Sequence, residues 1–159
     1  MSTVAHRPEP ITRAGYERLQ AELEQLVTTR RRQIVEELRE AREDGTEPGE
    51  TRPVAEVLDD RAALERRIDE LTRALAIATI ADPPADGVAG IGKRVSIRLG
   101  AGRAPIDYDL VGAIEADPGE RRISVASPIG EALVGRRAGE RVEVETPGGL
   151  REVEIVAVA

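Results

Sequence analysis

The sequence predicts an α+β protein: an N-terminal antiparallel α-helical coiled-coil hairpin, then a small antiparallel β domain with one short helix. Three observations predict it. Apolar residues recur three and four apart from Tyr16 to Ala41 and again from Val57 to Ala78, the spacing of a coiled-coil seam. Gly45, Pro48, Gly49 and Pro53 separate the two runs and force the backbone to turn. Beyond Gly92 the period falls to two, between turn-forming clusters.

Residues 1–10 hold two prolines and no periodicity, and read as a flexible leader. Thr12 is suited to cap the first helix, because its hydroxyl can accept from free first-turn amides. Tyr16, Leu19, Leu23 and Leu26 begin a stripe that resumes at Ile34, Leu38 and Ala41, with Arg30 in the gap. No Pro or Gly interrupts Tyr16 to Asp44, so the spacing predicts one helix of about 30 residues, roughly 45 Å long. The second stripe is Val57, Arg61, Leu64, Ile68, Leu71, Leu75 and Ala78. Folding antiparallel about Pro48 sets Leu26 against Leu71 or Thr72, Ile34 against Leu64, and Ala41 against Val57. It also predicts an Arg61–Glu37 ion pair, and places Arg30 beside Ile68 with its guanidinium in water.

The hairpin is assigned to 11–81, a Pro- and Gly-rich linker to 82–92, and the β domain to 93–159. Alternation marks strands over Arg94–Leu99, Ile106–Ile114, Ile123–Ala126, Arg141–Thr146 and the run ending at Val158, with one helical turn at Glu131–Gly135. Asp117-Pro118-Gly119 and Pro147-Gly148-Gly149 are turns.

Charge is concentrated between the two helices. Glu43, Asp44, Glu47, Glu50, Glu56, Asp59 and Asp60 face one cation, Arg52, a local charge of −6 in a chain of net charge −7. The bland reading is a solvated turn. The sharper one is an anionic tip held out on a stiff arm. Asp44, Thr46, Glu47 and Glu50 do not follow the ligand order of an EF-hand. His6 reads as a bystander, Tyr16 as a seam residue and Tyr108 as a strand residue.

Composition narrows the function classes. With no Phe, no Trp and two Tyr, the chain has no platform for stacking bases. Its negative charge argues against binding DNA or RNA alone. Without Cys, disulfides, thiolate metal sites and Cys nucleophiles are excluded. The first ten residues lack a signal-peptide core, and the most apolar run, Leu75–Ala81, is too short to span a bilayer, so the expected location is the cytoplasm.

Several stretches resemble the GreA/GreB family of bacterial transcription elongation factors: Ile123-Ser124-Val125-Ala126-Ser127-Pro128-Ile129-Gly130, Ala132-Leu133-Val134-Gly135, Val142 to Gly149, Glu40 to Gly45, and Leu19 to Arg32. The resemblance implies an FKBP-like C-terminal domain that docks at the rim of the RNA polymerase secondary channel, while the coiled coil enters the channel. Acids at the tip then share Mg²⁺ with the polymerase, near the nascent RNA 3′ end. This chain would be a cofactor for polymerase endonuclease activity, binding no cofactor alone, touching no membrane and acting as a monomer.

On that resemblance the tip acids are Asp44, Glu47 and Glu50, with Glu47 and Glu50 as metal ligands only in the polymerase complex. Ser127, Pro128 and Ile129 form the docking loop, where Ala126 replaces a family Asn or Asp. Arg30, Arg31 and Arg32 match a basic patch near RNA; the other reading is a solvated face paired with Glu36 and Glu37. Cleavage-active family tips read Gly-Asp-Leu, one residue, then Glu-Asn, with a Tyr a few positions on. Here Gly45 is followed by Thr46, and Thr51, Arg52 and Pro53 replace the Asn and Tyr. The alternative is therefore a cleavage-inactive homologue that occupies the channel and inhibits. A prolyl isomerase is a remote third reading, since such pockets are lined with aromatics that this chain lacks.

Overall fold

Residues 8–43 and 52–159 are described by a computed structural model. The chain divides into two compact units, Glu17–Ala76 and Met1–Tyr16 with Ile77–Ala159.

The first unit is a pair of antiparallel helical arms. The leading arm runs through α1 (Arg13–Gln25), a π turn (Leu26–Arg30) and α2 (Arg31–Glu43); the returning arm is α3 (Val54–Ile77). Ile34, Leu38, Val57, Leu64 and Ile68 form its buried seam, with Leu23, Leu26, Ala41 and Val54 packed against it. Cross-helix pairs run in opposite chain directions, Glu22 with Arg67 and Glu37 with Arg52, which fixes the antiparallel sense.

The uninterrupted α-helix expected from the spacing is broken by the π turn, and the stripe itself explains why. From Leu26 a four-three alternation would continue at positions 30 and 33, but the next large apolar residue is Ile34. One extra residue per turn, closed by the Arg31 amide donating to the Leu26 carbonyl, moves the phase by one. Ile34 and Leu38 are thereby buried on the seam.

That phase change also overturns the expected Arg61–Glu37 pair. Glu37 instead accepts from Arg30 at 2.6 Å and from Arg52 at 3.3 Å. Arg30 is therefore engaged by a carboxylate rather than solvated beside Ile68. Arg61 lines a cleft with Arg31, Ile34, Val35, Leu64 and Glu65.

In the second unit β1 (Glu9–Ile11) pairs in parallel with β2 (Ala78–Ile80), and Ile11 is fully buried. Glu9 and Pro10, expected in a leader, are thus strand residues, and residues 78–80, expected in the helical hairpin with Ala78 on its seam, are strand as well. The segment read as a linker is built in: Ala89 is buried, its amide donating to Arg136 and its carbonyl accepting from Gly135. The units divide at Tyr16/Glu17 and Ala76/Ile77, not at the Pro- and Gly-rich segment.

The remaining strands are β3 (Arg94–Leu99), β4 (Ile106–Val111), β5 (Arg122–Ser124), β6 (Arg141–Thr146) and β7 (Gly149–Val158), in sheet order β5-β4-β3-β7-β6. The sheet expected from the sequence is antiparallel, but β5 joins β4 in parallel. Two 3₁₀ turns, Ala113–Glu115 and Pro118–Glu120, carry the chain back to make that pairing. One face buries Val95, Ile97, Leu110, Val142, Val144, Val153 and Ile155 against Leu133 of α4 (Pro128–Leu133). Each such side chain contributes about 1.5–3 kcal/mol, so an aliphatic core suffices without aromatics. The other face carries polar pairs, among them Arg94–Asp109 and Arg98–Glu154 at 2.7 Å each, and Ser96 with Asp107. The tight β6–β7 turn ends at Gly149, whose φ of 102° favours glycine.

Candidate functional site

The helical arm is laced by arginine–carboxylate pairs. Arg67 grips Glu22 through Nε and Nη2 at 2.8 and 3.2 Å. Arg31 grips Glu65 through the same two nitrogens at 2.8 and 2.6 Å. The hydrogen bonds from Glu65 and Glu22 raise the Arg31 and Arg67 guanidinium pKa values, and the Arg31 bond holds the Glu65 carboxyl below its ordinary value. Nearer the acidic segment Arg52 donates to Asp60 and Glu37, and the Asp60 bond raises its pKa.

Of the proposed basic patch, Arg30 and Arg31 are both engaged by carboxylates within the arm, Glu37 and Glu65. Glu36 takes Arg39, not a member of the patch. Arg32 is exposed and, among the described residues, has no ion-pair partner within 4.0 Å. The expected tip acids Asp44, Glu47 and Glu50 lie outside the described residues, in the segment that joins α2 to α3 in the sequence. Among the described residues no cluster of three or more His, Cys, Asp or Glu is placed to hold a metal ion, and no helix is long and apolar enough to cross a membrane.

The Ser127-Pro128-Ile129-Gly130 element has a clear division of labour. Ser127 caps α4: its Oγ accepts from the Gly130 amide at 3.1 Å and donates to the Ser124 carbonyl at 2.7 Å. Pro128 opens the helix, where its fixed φ fits and no amide is needed, and it is exposed. Ile129 is half-buried against the sheet core. A Cβ on Gly130 would lie 1.9 Å from the Ser124 carbonyl oxygen, so only glycine fits. Ser127 and Gly130 shape the loop, Ile129 anchors it, and Pro128 is the member presented to solvent. Ala126 and Val134 are exposed on either side in the sequence.

Sequence reasoning missed Glu115. It is 3% exposed and accepts from the Thr12 amide at 2.8 Å, the Thr12 hydroxyl at 2.5 Å and the Gly112 amide at 3.0 Å. Thr12 caps α1 as expected, accepting from Gly15 at 2.9 Å. The carboxylate thus sits against the first turn of α1, where helix amides favour a negative charge. Nothing near Glu115 in the sequence pointed to a partner about a hundred positions away.

Two family models cover almost all of the chain: "Transcription elongation factor, N-terminal" over residues 9–80 and "Transcription elongation factor, GreA/GreB, C-term" over residues 84–159. The chain belongs to the GreA/GreB family of transcription elongation factors. Curated relatives agree over nearly full length. The transcription elongation factor GreA of Thermomicrobium roseum is 41% identical, over 94% of this chain and 96% of that protein. That of Roseiflexus castenholzii is 38% identical, over 98% and 99%. Among solved structures, the GreA factor homolog 1 (Gfh1) protein of Thermus thermophilus is 31% identical over 96% of this chain and 99% of that one, with a TM-score of 0.43. Membership in the GreA/GreB family rests on the sequence matches.

Proposed function

We propose that this GreA/GreB factor binds bacterial RNA polymerase as a monomer and inserts its helical arm into the secondary channel. There it brings Asp44, Glu47 and Glu50 close to the catalytic Mg²⁺, modulating elongation and transcript cleavage in backtracked complexes. The observation that carries this reading is the arm itself. A cross-paired antiparallel hairpin returns through an α3 of 24 residues, about 36 Å long, and in the sequence the acid-rich segment joins α2 to α3.

Carboxylate oxygens are suitable donors for Mg²⁺, which keeps several waters and takes one or two protein carboxylates. A second ion held by Glu47 and Glu50 would polarise water and stabilise charge in phosphodiester hydrolysis. The chain's own contribution is to deliver those oxygens and to seat the body through the loop that presents Pro128. The transcript bond is broken by the polymerase.

One observation favours the second reading, a factor that occupies the channel without promoting cleavage: Thr46 follows Gly45 where cleavage-active tips carry Asp. A backtracked polymerase with Mg²⁺ separates the two. Shortened transcripts that need Glu47 and Glu50 support cleavage; inhibited elongation without shortening supports occlusion. If the protein does not bind the polymerase, both readings fail.

A further inference from the structure

Arg52 is the one cation between Glu43 and Asp60, and it stands two residues after Glu50. Its guanidinium is tied to both arms. Nη2 donates to Asp60 Oδ2 at 2.7 Å, Nη1 donates to Glu37 Oε2 at 3.3 Å, and Nε lies 3.8 Å from Glu56 Oε2. Arg30 meets the same acids from the π turn, with Nη1 2.6 Å from Glu37 Oε1 and Nη2 3.9 Å from Asp60 Oδ2. Two arginines and two shared carboxylates therefore join the π turn, α2, Arg52 and α3. A planar five-donor fork can serve acids on two helices at once, which a lysine ammonium does poorly. Directly after Arg52, the Pro53 carbonyl accepts from the amides of Glu56 and Val57 at 3.0 and 3.3 Å, so the entry into α3 is bonded as well.

We propose that Arg52 is a positioning residue for the tip acids: its ring with Glu37, Asp60 and Arg30 fixes the point where the acidic segment joins α3. The inference rests on the function proposed above, and deepens it by naming what aims the carboxylates toward Mg²⁺. Charge alone makes the opposite demand. A cation near metal-binding acids weakens their hold on Mg²⁺, so an Arg52 kept merely for its charge would lower metal affinity.

Opposed charge changes test this. Arg52→Gln removes a positive charge and Asp60→Asn removes a negative one, yet both open the ring. Because the chain has no Cys, Thr46→Cys gives a single site for a nitroxide spin label in the full-length protein. Positioning predicts that both ring variants raise label mobility, with a roughly threefold larger loosened population, the scale of an exposed ion pair. It also predicts that both raise the Mg²⁺ concentration needed for half-maximal effect on polymerase. Arg52→Lys keeps the charge without the fork and should raise both readouts as well, and unchanged far-UV circular dichroism excludes loss of the arm. Unchanged mobility, or half-maximal Mg²⁺ values that move in opposite directions with charge, overturns the positioning role. If Glu47→Ala has no effect on the polymerase whatever the label does, the reading of the tip acids is at fault instead.

Discussion

Gly15 and Glu115 should be coupled strongly enough for the sign of a substitution to invert. Gly15 lies in the first turn of α1, where alanine is ordinarily better than glycine by about 0.5–1 kcal/mol. Here an added Cβ would fall 1.7 Å from Glu115 Oε1, 2.2 Å from its Cδ and 2.8 Å from its Cγ. The carboxylate has to leave, and it is buried and accepts three hydrogen bonds. Leaving the amides of Thr12 and Gly112 unpaired costs about 1–3 kcal/mol each, so Gly15→Ala should destabilise by roughly 2–5 kcal/mol. Glu115→Ala incurs a similar loss but removes the obstacle. In that background Gly15→Ala should stabilise by up to about 1 kcal/mol, which is the intrinsic helix gain.

Four proteins and urea unfolding followed by far-UV circular dichroism measure the cycle, the chain having no Trp to report by fluorescence. Additivity to within about 0.5 kcal/mol would refute the close approach.

Other substitutions test other parts. Gly130→Ala should disrupt the capped loop, because its Cβ meets the Ser124 carbonyl; lost stability together with lost polymerase binding is expected. Pro128→Ala should weaken polymerase association while thermal stability stays within about 1 kcal/mol of the parent, as for an exposed residue, and unchanged affinity would contradict its docking role. Asp109 has its carboxyl held below the ordinary 3.8 chiefly by the hydrogen bond from Arg94. A depressed folded-state value means stability that is fully present above the ordinary value of 3.8 and is lost as pH falls through the lowered value. Asp109→Asn should therefore flatten the acid limb of the stability curve below about pH 4, an effect that shrinks with added salt.

Much of the fold was legible because it depends on local period and turn chemistry. The boundaries of β3 and β6 are those the alternation marks, and Thr12 and Ser127 cap helices as their hydroxyls allow. The misreadings share a cause, which is that the competing signal was tertiary. The step of eight from Leu26 to Ile34 marks a π turn, yet it looks like a missing heptad residue until the seam shows both ends inside. Glu37 faced three arginines within reach in sequence terms, and only the phase of the π turn selects Arg30 and Arg52 over Arg61. The Pro- and Gly-rich segment has the composition of a linker, but Ala89 is buried in the sheet core. Glu115 carries no local signature because its donors come from the distant Thr12 as well as from Gly112.

The most direct test compares the parent protein with a Glu47→Ala, Glu50→Ala double variant on backtracked RNA polymerase, recording affinity and transcript length together. The account predicts that the variant binds as tightly as the parent and loses its effect on the polymerase. Full effect with both carboxylates gone, or affinity lost in step with effect, would contradict it.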